Sequence, residues 1–527
     1  MANKALFSSA TYHADAATTV NAAGGKAYEL EAKEALAKFA VTNTFGGTFY
    51  ASGHDQLTAL KALVDTVSDN AFIAKLAVYS RRKGHMKDMP AYLLAVLATR
   101  DLDLFKQVFW HVADNAKMVK NFVQIVRSGV TGRRSLGTVP KKLVRAWLRN
   151  RNGNQLVNDN VGGEPSLRDI LRMVHVRPVD DAQSAMFGYI LGKDVDMALL
   201  PASLQHLKAF HAGETEEMPN VAFQLLTGRE LSSAQWTQIA RQAPWQMTRM
   251  NLNTFLRHGV FDSREMVDLV AARLRDAAAI RKSRVMPYQL LAAYKNVDMA
   301  MPDAIIDALH DAMEIACEQV QAYEGKKLVI AVDVSGSMGN PVTGHRGTAT
   351  SKVTCVDVAG LMASALLRKN PDAVVVPFEN KIVKLRLDHR DTVMTNSQRL
   401  HGVRGGGTNC GLAMEHIAAH HGDADVVIFI SDNESWMDYA GKSRGWYRPQ
   451  QSATLMADSW KAMRRKNRKA KMVLIDVTPT TDSQNYTQDN VLNVGGFSDA
   501  VFGAVDGFIN NDVSGVGYWE SVIAAEI

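Results

Sequence analysis

The spacing of apolar residues divides the chain into two patterns. From Tyr28 to about Tyr323 they recur every three or four positions in segments of ten to fifteen residues, broken by Gly, Pro, Asn or Asp, as in amphipathic helices. Segments 57–69, 71–83, 89–100, 102–115, 117–129, 140–150, 166–176, 236–259, 264–282 and 302–323 each predict a helix. Connections of a few residues make neighbours antiparallel. About three hundred residues of paired helices without a strand are too many for a simple bundle, so stacked helix pairs forming a solenoid are expected. Residues 1–28 are rich in Ala, Ser and Thr and lack periodicity, which predicts an arm without chemistry of its own.

At Gly325 the period changes. Apolar strand-like runs at 328–334, 373–378, 425–431, 471–477 and 491–496 alternate with helical segments at 352–369, 411–421 and 452–469. That alternation predicts a doubly wound, Rossmann-like, mainly parallel sheet. The fold class is therefore multidomain, α plus α/β, with a helical part over 1–325 and an α/β part over 326–527.

Composition adds little until charge is followed along the chain. Hydrophobic content of 46% with 22% charged residues is globular. No unbroken apolar span of membrane length occurs, and Met1 does not open a basic-then-apolar leader, so a cytoplasmic protein without a membrane partner is expected. Cys317, Cys355 and Cys410 have neither disulfide-framework nor zinc-knuckle spacing and read as buried small hydrophobes. The net charge of +6 is uneven: residues 101–150 hold ten Lys or Arg against three acids. Such a patch attracts phosphate backbones, although a solvated helical surface has the same composition.

Candidate chemistry concentrates in LVIAVDVSGSM (328–338), where a buried strand delivers Asp333, Ser335 and Ser337 into a turn. Thr408 follows three glycines, and Asp432 follows the strand DVVIFIS. Ligands of open α/β sheets gather at the carboxyl ends of strands, so these two carboxylates and three hydroxyls predict an all-oxygen cation site suited to Mg2+. The Gly-rich stretch 339–352 lacks the Gly-Lys-Ser/Thr of a phosphate loop. His416 and His420, four apart on a helix, lack the Glu and third ligand of a metalloprotease.

Asp-x-Ser-x-Ser after a strand, Thr in a Gly-rich loop and a later strand-end Asp resemble the metal-ion-dependent adhesion site of von Willebrand factor A domains. In the helical part, GTVPKKLVRAWLRN (137–150) and SLRDILRMVHVRP (166–178) resemble the Ro ribonucleoprotein autoantigens, the TROVE-domain RNA-binding proteins, through Gly137, Lys141, Lys142, Trp147 and Ile170, Leu171, Arg172, Met173, His175, Arg177, Pro178. The order of the two unlike domains matches as well. The resemblance implies a ring of HEAT-like repeats followed by a von Willebrand A domain, binding RNA without enzymatic activity. Single-stranded 3′ ends of misfolded or unprocessed noncoding RNAs would thread the ring, and Y-type RNA would grip its outer basic face. Arg172, His175 and Arg177 are the first candidate RNA contacts, then Arg133, Arg134, Lys141, Lys142 and Arg145. The resemblance further implies a 3′ exonuclease such as polynucleotide phosphorylase as partner; a monomer without a DNA ligand is expected. The stretch before Ser166 has no lysine cluster like that of vertebrate members, which bears on Y-type RNA. The alternatives are an adaptor whose metal site grasps a partner's carboxylate while the helices serve as a docking surface, and a Mg2+-dependent nuclease.

Overall fold

The structure is a computed structural model describing residues 14–42, 52–344, 352–436, 453–497, 499–511 and 513–525. Residues 1–13 of the expected arm and 345–351 of the Gly-rich stretch lie outside the described residues. Two compact units are built from discontinuous segments. One comprises 1–68, 271–299 and 303–525; the other is essentially 69–270.

The second unit is helical throughout its described residues. Helices Asn70–Arg82, Asp88–Arg100, Leu102–Val112 and Ala116–Ser128 follow the predicted segments closely, because short polar caps start them: Asp101 accepts from Leu104 N and Asn115 from Met118 N. Gly129, at φ 84°, ends the last of them in the left-handed conformation. Phe105, Phe109 and Phe122 pack with ring centroids 5.6 to 6.1 Å apart at the centre of this group. The expected single helix over 236–259 is three pieces, Ser233–Gln242, Trp245–Met250 and Leu252–Arg257. Pro244 cannot supply the N–H that would continue the first piece. The segment 264–282 likewise divides into Arg264–Leu274 and Ala277–Ser283, Asp276 capping the second.

The first unit holds the strands: β1 (Thr19–Val20), β2 (Lys26–Glu29), β3 (Leu328–Asp333), β4 (Val374–Phe378), β5 (Val426–Ser431), β6 (Lys471–Asp476), β7 (Asp482–Ser483) and β8 (Val491–Gly495). Five of them form a parallel sheet in the order β4-β3-β5-β6-β8, the doubly wound sheet expected from the alternation. On one face Met414 and Ile417 of helix Cys410–His420 and Trp460 and Met463 of helix Leu455–Lys466 close over Val427, Phe429 and Met472. The arm is part of this unit. β1 pairs with β2, and β2 pairs antiparallel with β7, Tyr28 opposite Ser483. Sequence periodicity missed these strands because β1 and β2 have only 2 and 4 residues.

Candidate metal centre and nucleic-acid interface

Because all five strands run in parallel, their carboxyl ends line one edge. β3 ends at Asp333 and β5 at Ser431, with Asp432 next, so the turn after β3 faces the loop after β5. The Gly-rich loop is clamped to that turn by two backbone bonds, Gly405 N to Val334 O at 2.9 Å and Gly336 N to Gly406 O at 3.0 Å. Three hydroxyls consequently form a chain: Thr408 Oγ1 donates to Ser335 Oγ at 3.0 Å, and Ser335 Oγ lies 3.2 Å from Ser337 Oγ. Asp333 Oδ1 accepts from Ser335 N at 2.8 Å, and Oδ2 accepts from Ser431 Oγ at 2.5 Å. Ser337 also bonds the Asp432 carboxyl, and Asp432 Oδ1 accepts from Glu434 N at 3.3 Å. The structure therefore brings all five expected oxygen donors together.

Burial makes this site electrostatically unsettled without a cation. Asp333 is fully buried and Asp432 is 3% exposed. Burial raises the Asp333 carboxyl above its usual range. Burial together with the charge of Asp333 pushes Asp432 up to about 7. Among the described residues neither carboxylate has a Lys or Arg ion-pair partner. Nor do three His, Cys, Asp or Glu side chains gather into a metal cluster anywhere among them, His416 and His420 included. Two acids that oppose each other's ionisation, completed by three hydroxyls, are a donor set that fits a hard divalent cation.

Residues beyond the five complete the edge. Glu379, directly after β4, has its carboxylate against the Gly-rich loop. A Cβ on Gly406 would stand 1.4 Å from Glu379 Oε2, and Gly406 has φ 67°, so both space and backbone require glycine there. Asp476, at the end of β6, is paired at 2.7 Å with Lys38 from helix Ala32–Thr42; both side chains are almost wholly buried. Glu434 is pushed up to about 8 by burial and by Asp482, and its Oε2 accepts from Ala23 N of the arm. Glu379 and Asp476 follow apolar runs, as Asp333 does, and that signal alone would have located them. All three cysteines are buried thiols.

In the helical unit the basic residues meet at the end of helix Leu167–Val174. A capping box starts this helix: Ser166 Oγ accepts from Asp169 N, and Asp169 Oδ2 accepts from Ser166 N. His175 ends it at φ 50°, a left-handed conformation that costs a non-glycine residue about 1–2 kcal/mol. Arg145, on helix Thr138–Arg149, donates Nε to the Val174 carbonyl. Arg127 Nη1 lies 2.8 Å from Met173 Sδ. Arg127 and Arg145 thus meet the end of this helix, in the segment that also carries Arg172, His175 and Arg177, and a helix C-terminus favours cations. Arg127 was missed as a site residue because its helix precedes both motif segments. Arg172, His175 and Arg177 are exposed and ion-pair with no acid among the described residues. Lys141 is half-buried on the same helix as Arg145, and Lys142 and Arg134 are exposed. Arg133 differs: its Nη1 donates to Ala98 O at 2.6 Å and its Nε to Ser135 O at 3.1 Å, so much of its donor capacity serves the backbone. Its guanidinium also occupies the space beside Gly137 that a Cβ would need.

A helical part joined to a von Willebrand factor A domain with an oxygen-lined strand edge is the class that this fold and site define. Residues 327–509 match the family model of the Ro60 vWA domain. The RNA-binding protein RO60 of Deinococcus radiodurans is 26% identical over 94% of this chain and 95% of its own length. The RNA-binding protein RO60 of Caenorhabditis elegans is 28% identical over 36% of this chain and 30% of that protein. The crystal structure of the Deinococcus radiodurans RO (RSR) protein covers 92% of this chain and 100% of its own with a TM-score of 0.59; at 20% identity this is a likeness of fold. The chain is thus similar to Ro proteins over nearly its whole length, and its residues 327–509 match the vWA domain of that family.

Proposed function

We propose that the chain is an RNA-binding scaffold rather than an enzyme. The observation that carries this reading is the run of exposed cations that form no ion pair among the described residues, Arg172, His175 and Arg177, at and just past the end of helix Leu167–Val174, with the histidine in a conformation that costs stability. Unpaired Arg and His side chains at one helix end suit phosphates and base edges of single-stranded RNA. The names of the relatives, RNA-binding proteins in two organisms, point the same way. By resemblance, the finer assignment is single-stranded 3′ ends of misfolded or unprocessed noncoding RNA at Arg172, His175 and Arg177. Arg134, Lys141, Lys142 and Arg145 are the next candidate RNA contacts, and Y-type RNA and a 3′ exonuclease are the partners that the resemblance implies for a role in RNA quality control.

The α/β domain has a separate role in this reading. Asp333, Ser335, Ser337, Thr408 and Asp432 would hold Mg2+, which supplies a coordination position for a carboxylate of a protein partner. Binding of a small RNA with a free 3′ tail, followed by fluorescence anisotropy, tests the first role. Arg172→Ala with His175→Ala should weaken binding by about tenfold or more, since a hydrogen bond to a charged group contributes about 1.5–3 kcal/mol. Unchanged affinity would remove these residues from the interface. Asp333→Ala and EDTA should leave RNA affinity intact, and RNA cleavage that required Mg2+ and Asp432 would favour the nuclease reading.

A further inference from the structure

A second run of cations lies on the α/β domain, at the edge of the sheet opposite the metal centre. Helix Leu455–Lys466 buries Met456, Trp460 and Met463 and ends where the amino end of β6 begins. Between positions 461 and 471 the chain carries seven Lys or Arg and no acid. Some of these have structural duties: burial lowers the pKa of the Arg464 guanidinium, and Lys471 Nζ donates to Phe508 O at 2.7 Å. Lys466, Arg468 and Lys469 do not. All three are exposed, and none ion-pairs with an acid among the described residues.

Cations in the last turn of a helix offset its dipole, and that alone would account for Lys466. It does not account for Arg468 and Lys469, which lie past the helix on a turn that is built rather than loose. Asn467 Nδ2 donates to Ala424 O at 2.9 Å, Asn467 Oδ1 accepts from Lys469 N at 3.2 Å, and Ala470 N donates to Asn467 O at 3.3 Å. Exposed cations elsewhere on the chain do find acids, as Lys106 finds Asp103 at 2.8 Å and Arg241 finds Glu265 at 2.7 Å. The nearby acids Asp423 and Asp425 are both engaged by Lys327, through its side chain and its backbone N–H respectively. Among the described residues, therefore, no acid forms an ion pair with the positive charge of this turn.

We infer that the turn Lys466–Lys469 is a second RNA contact, gripping the phosphate backbone without regard to sequence. The inference rests on the RNA-binding reading and extends it to the α/β domain. The helical site is similar, with exposed cations at the end of a helix that form no ion pair among the described residues. An anionic membrane would be held less firmly, because its binding gains from an apolar face to bury and Lys466, Asn467, Arg468 and Lys469 offer none. A polyanion instead gains from each cation by releasing counterions.

The test is the triple variant Lys466→Gln, Arg468→Gln, Lys469→Gln of the full chain, with a long polyuridylate as the probe. Each lost single-strand phosphate contact reduces the slope of log affinity against log salt by about 0.7, so the slope should become shallower by about 2. RNA should also protect Lys466 and Lys469 of the wild type from acetylation. An unchanged slope with unprotected lysines overturns the inference, as does loss of binding only to anionic vesicles or to polyglutamate. If the wild type itself fails to bind polyuridylate and the 3′-tailed RNA, the RNA-binding reading falls first. If it binds and Arg172→Ala with His175→Ala weakens it while the triple variant behaves as wild type, only the second contact falls.

Discussion

Asp432→Asn tests the electrostatics of the strand-end site with an unusual sign. In the metal-free protein, burial and the neighbouring charge of Asp333 hold the Asp432 carboxyl at about 7. An Asp in an unfolded chain titrates near 3.9, so the folded state binds this proton more tightly than the unfolded state does. The stabilisation is fully present below the unfolded value and is lost as pH rises through the folded one. Each tenfold difference in proton affinity between the two states corresponds to about 1.4 kcal/mol, so the wild type should lose up to about 4 kcal/mol between roughly pH 4 and pH 8. That figure is a ceiling, because Asp333 is pushed the same way by burial and the two carboxyls share their protons. Asn keeps an oxygen for Glu434 N–H and carries no charge. Metal-free Asp432→Asn should therefore be more stable than wild type at about pH 8 and similar to it at about pH 4. Mg2+ should reverse the order, stabilising the wild type by binding only its folded form and leaving the variant nearly unmoved. Urea unfolding in EDTA across this pH range, repeated with Mg2+, reads both effects. A variant less stable than wild type in EDTA at the alkaline end would show that the carboxylates do not oppose each other, and the case for a cation would go with it.

Other substitutions probe the supports of the two sites. Gly406→Ala should cost about 1–3 kcal/mol in urea unfolding through its positive φ, plus whatever Glu379 needs to withdraw. Glu379→Ala in the same chain should recover only the second part, and full recovery would show that space alone matters. Lys38→Met leaves Asp476 as a buried charge without its partner and should cost about 3–5 kcal/mol, whereas Lys38→Met with Asp476→Leu should cost much less. Equal losses in the single and double variants would mean that the pair is not what holds the arm's helix. Arg133→Ala should lower thermal stability more than RNA affinity, because its donors reach Ala98 and Ser135.

The sheet was legible because its strands are apolar runs buried on both faces, and the cation site because a carboxylate or hydroxyl stands where such a run stops. The same logic extended to Glu379 and Asp476, yet neither carries a recognisable motif. Their roles depend on partners distant in sequence, Gly406 for one and Lys38 for the other. Helix existence could be read from periodicity, whereas helix breaks at Pro244 and Asp276 fell inside continuous apolar patterns. For the basic residues, sequence could count charge but could not tell Arg172, which faces solvent, from Arg133, which braces the backbone. That distinction is made by the folded carbonyls alone.

The arm is where the two patterns of the sequence mislead most. The change at Gly325 marks where the parallel sheet begins, but the folded unit around the metal centre is assembled from further back. Asn21 Nδ2 donates to Ser435 O at 2.8 Å and Ala23 N to Glu434 Oε2 at 3.1 Å, both just beyond Asp432. Lys295 meets Asp357 at 2.5 Å, and Glu314 Oε1 accepts from Val393 N at 2.6 Å. A buried carboxylate at a strand end needs either a cation or a fixed donor to remain ionised, and this chain supplies each in turn. Asp476 takes Lys38; Asp357, in the first turn of helix Cys355–Lys369, takes Lys295; and Glu434, with one backbone N–H from the arm, is pushed up to about 8 instead. Asp333 and Asp432 are left facing each other with hydroxyls and one backbone N–H each, and with no Lys or Arg ion-pair partner among the described residues. Lys38, recruited from outside the sheet, thus neutralises Asp476 on that edge, and among the described residues Asp333 and Asp432 are left without a basic side chain to match them.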